Sequence, residues 1–454
     1  MNQPSEIDDQ RASEARNEQD REWIDAAAAA DLLGVKRETL YAYVSRGLVR
    51  SAVAPRSDAG ARASVYHVAD LERLKTRSRA RAGHGAVAAS ALRWGEPVLE
   101  TAIGSIREDG PWYRGRSAVE LARAGTPFEA TCDLLWGVRP RDVAEPAPTK
   151  RRTRPRSASV NRAPRSLRSL VDLGVRPATL RPLLAKDAEP FDAMLLVAAT
   201  LAAAEPHTEI TVPLAREKAP ALVRRMIAAA GLVGKGDASA VSLAAPSAAE
   251  AMLAALGGSS KPQAAHVKAM NEALTLSADH ELNPSAFSAR IAASAGASLM
   301  ACIVAALATL SGPLHGGATA RVAAFAAEVA KPERAAAAIA ARLDRGESIP
   351  GFGHPIYPKG DPRGARLVEV AEVIGGKAKG VRLYRAIVDA MHLVSRERPT
   401  IDVGLCMLAA ALGLRPGSAL AIFAAGRVAG FVAHALEQRE AGFILRPRAR
   451  YVGE

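Results

Sequence analysis

The chain is poor in cysteine and in aromatic rings. Its three cysteines, Cys132, Cys302 and Cys406, are widely spaced. They make neither a metal-binding pattern nor a disulfide framework, which suits a reducing compartment. Aromatic residues are only 4% of the total. Alanine instead fills long stretches poor in strand formers, which favours helices. The polar, acidic start has no apolar segment of the secretory kind. A cytoplasmic, mostly helical protein is expected. At 454 residues the chain is long for a single core, so more than one domain is expected.

Charge is absent from the run Ile291 to Leu314. The run is long enough to cross a bilayer. Its Ala, Ser and Gly content and its proline predict a buried helix in a helical core instead, with no membrane partner. Elsewhere positive charge dominates, with a net charge of +13. Residues 1–20 are acidic and predict a disordered tail. Much of the excess lies in Arg73 to Arg81 and in the Pro- and Ser-rich stretch Lys150 to Arg168. These read as solvated segments, or as a patch for an acidic ligand or nucleic acid.

Residues 21–82 form a module of their own. Ile24 to Leu33 predicts a short helix, Gly34-Val35 a turn, and Lys36 to Ser45 a second helix with Gly47 as its C-cap. Leu33, Val35, Leu40 and Val44 are its expected core. Lys36, Arg37, Thr39, Tyr41 and Tyr43 are expected on or near the second helix. Residues 49–66 predict a two-stranded wing, with Arg56 and Arg62 near its tip and Tyr66 closing it. Val68 to Lys75 starts another helix. The segment from Ala30 to Val49 resembles the winged helix-turn-helix of MerR-like and excisionase-like DNA-binding proteins. That resemblance implies a second helix in the major groove and basic residues on phosphates, with a homodimer to read two half-sites. A helical hairpin used for protein contact is the alternative.

Two glycine-rich loops each carry a histidine. One is Ser311-Gly312-Pro313-Leu314-His315-Gly316-Gly317-Ala318. The other runs from Ile349-Pro350-Gly351-Phe352-Gly353-His354 through Tyr357 to Asp361-Pro362-Arg363. Glycine admits positive φ and close ligand approach, and proline fixes the chain direction. A histidine in such a frame is placed for hydrogen bonding or proton transfer. Three further motifs carry chemistry: Asp279-His280-Glu281-Leu282-Asn283, Thr400-Ile401-Asp402, and Gly426-Arg427 leading to His434 and Glu437-Gln438. Read alone, Asp402 could cap the helix that follows, and His280 could be a surface histidine. His434, on an apolar helix, reads as structural. Glu437-Gln438 reads as packing or interface.

The order and wording of these motifs, with the Arg446-Pro447-Arg448 tail, resemble the citrate synthase family over residues 91–454. The resemblance implies an all-α citrate synthase fold following the helix-turn-helix module. Its large domain would take residues 91–315 and 413–454, and its small domain residues 316–412. It implies Claisen condensation of acetyl-CoA with oxaloacetate, with CoA thioester as substrate and no cofactor or metal. Such a reaction needs a base for the α-proton, a donor on the thioester oxygen, a donor on the ketone, and cations for the carboxylates. The family's pattern gives these roles to Asp402, His315 and His354 as catalytic residues, and to His280, Arg363 and Arg427 as carboxylate ligands. Arg446 matches an arginine that reaches the neighbouring subunit's site, implying a homodimer with the helices around 291–314 in its core. Ile349, Pro350, Gly351, Phe352 and Gly353 would wrap the adenine and pantetheine of CoA. Pro358 stands where some members carry a basic residue near the CoA phosphates, leaving Lys359 to serve. Two alternatives stay open: the same reaction on propionyl-CoA, giving 2-methylcitrate, and a metabolite-sensing DNA-binding regulator on the same scaffold.

Overall fold

The computed structural model describes residues 23–45, 48–53, 64–68, 70–71, 99–138, 172–205, 211–234, 236–257, 262–447, 451 and 453. The acidic start, Gly47, Arg56, Arg62, the two basic stretches, Ala91 to Val98, Arg448 and Arg450 lie outside the described residues. The chain divides into two compact units, residues 1–100 and 101–454.

In the first unit, strand β1 (Trp23–Asp25) leads into helices α1 (Ala26–Leu33) and α2 (Arg37–Ser45), followed by β2 (Ser51–Val53) and β3 (Ser64–His67). The first helix starts at Ala26 and not at Ile24. Asp25 stops the strand by accepting the amides of Ala27 and Ala28, both at 2.8 Å, and these bonds hold its carboxyl below the usual range. Gly34, at φ +63°, ends α1 in the left-handed conformation. The expected wing strands pair antiparallel, with Ser51 opposite Tyr66, and β1 adds a third strand on the other edge of β3. Ala29, Ala30, Leu40, Val49, Tyr66 and Leu71 form the buried core. One expectation fails here. Val35 is half-buried and outside this core, whereas Tyr43, on α2 as expected, packs against it. Lys36, Arg37 and Tyr41 are exposed, and Thr39 is half-buried.

The second unit opens with an antiparallel sheet of β4 (Gly104–Arg107), β5 (Gly110–Tyr113) and β6 (Arg116–Ser117). This small sheet is an addition to the mostly helical architecture that was expected. Helices then dominate: α3 (Ala118–Arg123), α4 (Phe128–Leu135), α5 (Pro177–Leu180), α6 (Pro190–Ala204), α7 (Val212–Ala229), α8 (Ser239–Ala244), α9 (Ala248–Ala255) and α10 (Ala264–Ser277). They continue with α11 (Pro284–Ser294), α12 (Leu299–Leu310), α13 (Ala318–Val329), α14 (Ala335–Asp344), α15 (Pro362–Gly375), α16 (Lys379–Val394), α17 (Ile401–Ala411) and α18 (Ser418–Ala441).

The charge-free run is not one helix. It is split between α11 and α12, because Gly296 adopts φ +86° and Ser298 then caps α12 by accepting the Ala301 amide. The long apolar element is α18, whose 24 residues have the length and composition of a membrane span but are buried inside the unit. It packs against α7, α10, α11, α12 and α17. Two glycines one turn apart permit the closest approach. A Cβ at Gly426 would lie 2.7 Å from the Leu274 carbonyl oxygen, and one at Gly430 would lie 2.5 Å from that of Ala278. The Gly430 amide donates to this Ala278 oxygen at 3.0 Å.

A buried polar chain locks the other end of α18. Arg290 Nε donates to His434 Nδ1 at 3.1 Å, so the neutral ring carries its proton on Nε2 and donates to Asp279 Oδ1 at 3.2 Å. Glu437 pairs with Arg290 and accepts from Thr101 Oγ1 at 2.8 Å and the Ala102 amide at 2.7 Å. His434 is therefore structural, as its apolar setting suggested, and Glu437 anchors the chain as it enters this unit. Replacing Gly430 by Ala forces a methyl group onto backbone at the α10–α18 crossing. The variant is expected to lose about 1–3 kcal/mol of stability, measured by urea titration. An unchanged midpoint would refute the close-packing argument.

Candidate active site

Asp361 organises the site. Its carboxylate accepts the Arg363 amide at 3.0 Å, which caps α15, with Pro362 at the first helical position. It grips the Arg363 guanidinium edge-on, Nε to Oδ1 and Nη2 to Oδ2, both at 2.9 Å. It also accepts the Ile401 amide at 3.0 Å, so the same side chain caps α17. Both Asp361 and Arg363 are buried. Burial disfavours both charges, but the pairing prevails: the Asp361 carboxyl is held below its ordinary value and the Arg363 guanidinium above its own. Close contact of α15 with α17 completes the arrangement. A Cβ at Gly364 would lie 2.5 Å from Thr400 O, and one at Gly404 would lie 2.7 Å from Leu367 Cβ.

Asp402 stands in the first turn of α17, half-buried, and accepts from Thr400 Oγ1 at 2.9 Å. It does not cap the helix; Asp361 does. Burial raises its carboxyl above the usual range, against the lowering effects of Thr400 and Arg363. The His354 loop is tied to this same helix start. Thr400 N donates to Gly351 O at 2.8 Å, and Phe352 bridges to Pro399. Gly351 sits at φ +86°, where a Cβ would lie 2.5 Å from Val403 Cγ2.

His354 Nδ1 accepts the Ile356 amide at 3.2 Å, so the neutral ring presents Nε2–H outward. His280, in the α10–α11 turn, lies with its ring centroid 5.7 Å from that of His354. Its Nε2 is 2.8 Å from the hydroxyl of Tyr357. His315 lies in the α12–α13 loop, where Gly316 packs so tightly that a Cβ would lie 2.5 Å from Leu310 O. Its Nε2 is 2.8 Å from Ser285 Oγ, which lies 2.7 Å from Asn283 Oδ1. Burial lowers all three imidazoles: His280 well below its ordinary value, His315 to about 4, and His354 with help from Arg363. At neutral pH all three are uncharged donors or acceptors.

Arg427, on α18, is 2% exposed, and its Nε and Nη1 have no hydrogen-bond partner among the described residues. Burial pushes its guanidinium down to about 10, although Asp279 opposes this. An intact cation with unused donors next to neutral histidines is built to receive an anion.

The other expected residues are more dispersed. Ile349 is buried, Pro350, Gly351 and Phe352 are half-buried, and Gly353 is exposed. Lys359 is exposed and pairs with Glu108 at 3.0 Å. Arg446 is exposed in the segment after α18. Four contributors escaped the sequence reading: Asp361, Tyr357, Ser285 and Thr400. Only Asp361 left a local signal, an Asp-Pro helix start immediately before a buried arginine.

Neutral histidines, two buried guanidiniums and one carboxylate of raised proton affinity define an acid–base site for a small organic anion. The family model described as "Citrate synthase, C-terminal domain" matches residues 91–448. The chain therefore belongs to the citrate synthase family. It is 36% identical over 208 residues to citrate synthase 2 of Bacillus subtilis, covering 45% of this chain and 56% of that one. It is also 36% identical over 195 residues to a 2-methylcitrate synthase of Shewanella oneidensis, covering 42% and 52%. The matched region thus spans about half the length of these relatives. Among solved structures, the citrate synthase of Thermoplasma acidophilum, in a ternary complex with carboxymethyl coenzyme A and oxaloacetate, superposes with a TM-score of 0.66 at 23% identity. That match covers 80% of this chain and 96% of that one. The Pyrobaculum aerophilum enzyme gives a TM-score of 0.61 at 26% identity, covering 79% and 91%.

The lowered histidines set a pH dependence for stability. Their folded pKa values lie below the ordinary 6.5, so the unfolded chain binds more protons in acid. Their contribution is fully present above pH 6.5 and is lost as pH falls toward about 4. Melting temperature should fall across this window, and less steeply in a His315→Gln variant. Equal slopes would exclude His315 as a contributor.

Proposed function

We propose that the chain condenses acetyl-CoA with oxaloacetate and hydrolyses the resulting thioester, releasing citrate and CoA. The observation that carries this reading is the buried Arg427 with unused donors, whose charge acts with burial and Arg363 to keep His280 neutral. Arg363, Arg427 and His280 hold the carboxylates of oxaloacetate. Asp402 removes the α-proton of the acetyl group, and its burial gives it greater basicity than a solvated aspartate. His315 donates to the thioester oxygen as the enol forms. The single hydroxyl proton of Ser285 can serve Asn283 Oδ1 or His315 Nε2, and turning it onto Nε2 leaves Nδ1–H as the donor. His354, with Nε2–H directed outward, polarises the ketone and protonates it as the carbon–carbon bond forms. Water then cleaves the citryl thioester.

In this reading the Ile349 to Gly353 segment follows the CoA chain, with Lys359 leaving Glu108 to meet a phosphate. A second copy of the chain supplies Arg446, making a homodimer, and residues 316–412 close over bound oxaloacetate. The 36% identity to a 2-methylcitrate synthase supports propionyl-CoA as a second substrate; one added methylene changes pocket binding by about 1–3 kcal/mol. Release of CoA thiol should depend on oxaloacetate, and the ratio of rates with acetyl-CoA and propionyl-CoA identifies the preferred thioester. Asp402→Asn should lower kcat by at least about a thousandfold while oxaloacetate still binds. Undiminished turnover would remove Asp402 from its role as base.

For the first unit, the exposed Lys36, Arg37 and Tyr41 on and beside α2 support a winged helix-turn-helix that contacts DNA, with Thr39 at its margin. Fluorescence anisotropy with duplex DNA should show binding that weakens steeply with salt. Lys36→Ala with Arg37→Ala should weaken it further; salt-independent or absent binding would end the DNA reading.

A further inference from the structure

Tyr357 has no part in the chemistry set out above, yet it is 3% exposed at the centre of the site. Its ring lies 5.0 Å from that of His354 and 5.6 Å from Arg363 Cζ. Its hydroxyl has one hydrogen-bond partner among the described residues, His280 Nε2 at 2.8 Å. Burial pushes the phenol up to about 12, so the hydroxyl keeps its proton.

His280 is uncharged and has a single N–H to offer. If that proton sat on Nε2, it would be spent on the tyrosine oxygen, and Nδ1 would turn a lone pair toward any bound carboxylate. If the tyrosine donates instead, the proton sits on Nδ1, which has no hydrogen-bond partner among the described residues. Only the second arrangement makes His280 a donor to an anion. The hydroxyl thus selects between two tautomers of opposite use.

We propose that Tyr357 is a positioning residue that donates to His280 Nε2, fixes His280 as the Nδ1–H tautomer, and so makes it a neutral donor to the oxaloacetate carboxylate. The inference rests on the dicarboxylate reading of the site. Tyr357 and His354 are three residues apart on one loop, and the Tyr357 amide donates to His354 O at 2.9 Å. One loop therefore sets both the histidine on the ketone and the histidine on the carboxylate.

The test is Tyr357→Phe, which removes the hydroxyl and keeps the ring. Oxaloacetate affinity is read by titration calorimetry and KM by thiol release, on the full chain. The dissociation constant and KM for oxaloacetate should rise about tenfold, with KM for the thioester unchanged and a smaller effect on kcat. In a His280→Gln background the same change should add nothing, because the tyrosine acts through the histidine. Unchanged oxaloacetate affinity in Tyr357→Phe, or a full tenfold loss repeated in the His280→Gln background, overturns the proposal. If the unaltered chain binds oxaloacetate but releases no thiol, the condensation reading fails while calorimetry still decides the role of Tyr357. If it does not bind oxaloacetate, the Tyr357 proposal falls too.

Discussion

One carboxylate, that of Asp361, holds together parts that the chemistry needs in register. It starts α15, orients the Arg363 guanidinium and fixes the first amide of α17, the helix that carries Asp402. An anion-binding cation and a proton acceptor are thereby referred to a single side chain. The cost of burying an ion pair is offset by the number of donors that converge on it, since every strong acceptor direction is used. Gly364 and Gly404 bring the two helices close enough for this to happen. The His354 loop joins the same assembly through Gly351 and Thr400. The acid–base groups of the site are therefore set by backbone hydrogen bonds and helix starts, not by flexible side chains reaching across solvent.

A second constraint operates where α18 crosses α10. Glycines at 426 and 430 let α18 lie against the end of α10, immediately before Asp279 and His280. The polar chain from Arg290 through His434 to Asp279 then fixes the turn from which His280 projects. A histidine that reads as a bystander on an apolar helix thus supports the turn that carries His280.

How much of this was legible in the sequence depended on the range of each interaction. The histidine loops were legible because glycine and proline impose their geometry locally, and the structure gathers His280, His354 and Arg363 around Tyr357 and sets Asp402 against Asp361 and Arg363. The wing strands and the Gly34 turn followed from local signals of the same kind. The role of Asp361 was hidden because one of its acceptor bonds goes to Ile401, forty residues away. The Ile291 to Leu314 run was misread because an absence of charge conceals a glycine break, and only φ at Gly296 divides it into two helices. The sheet of β4, β5 and β6 was missed because its strands are too short to show alternation.

The central position of α18 also bears on how the chain is made. It comes last among the described helices, yet α7, α10, α11, α12 and α17 all pack against it. During synthesis those helices emerge first, each with an apolar face whose partner has not yet left the ribosome. Until α18 is released those faces stay uncovered, and Arg427 has not yet joined Arg363 and the histidines. The covering of these five helices and the arrival of Arg427 thus wait on one and the same segment of chain.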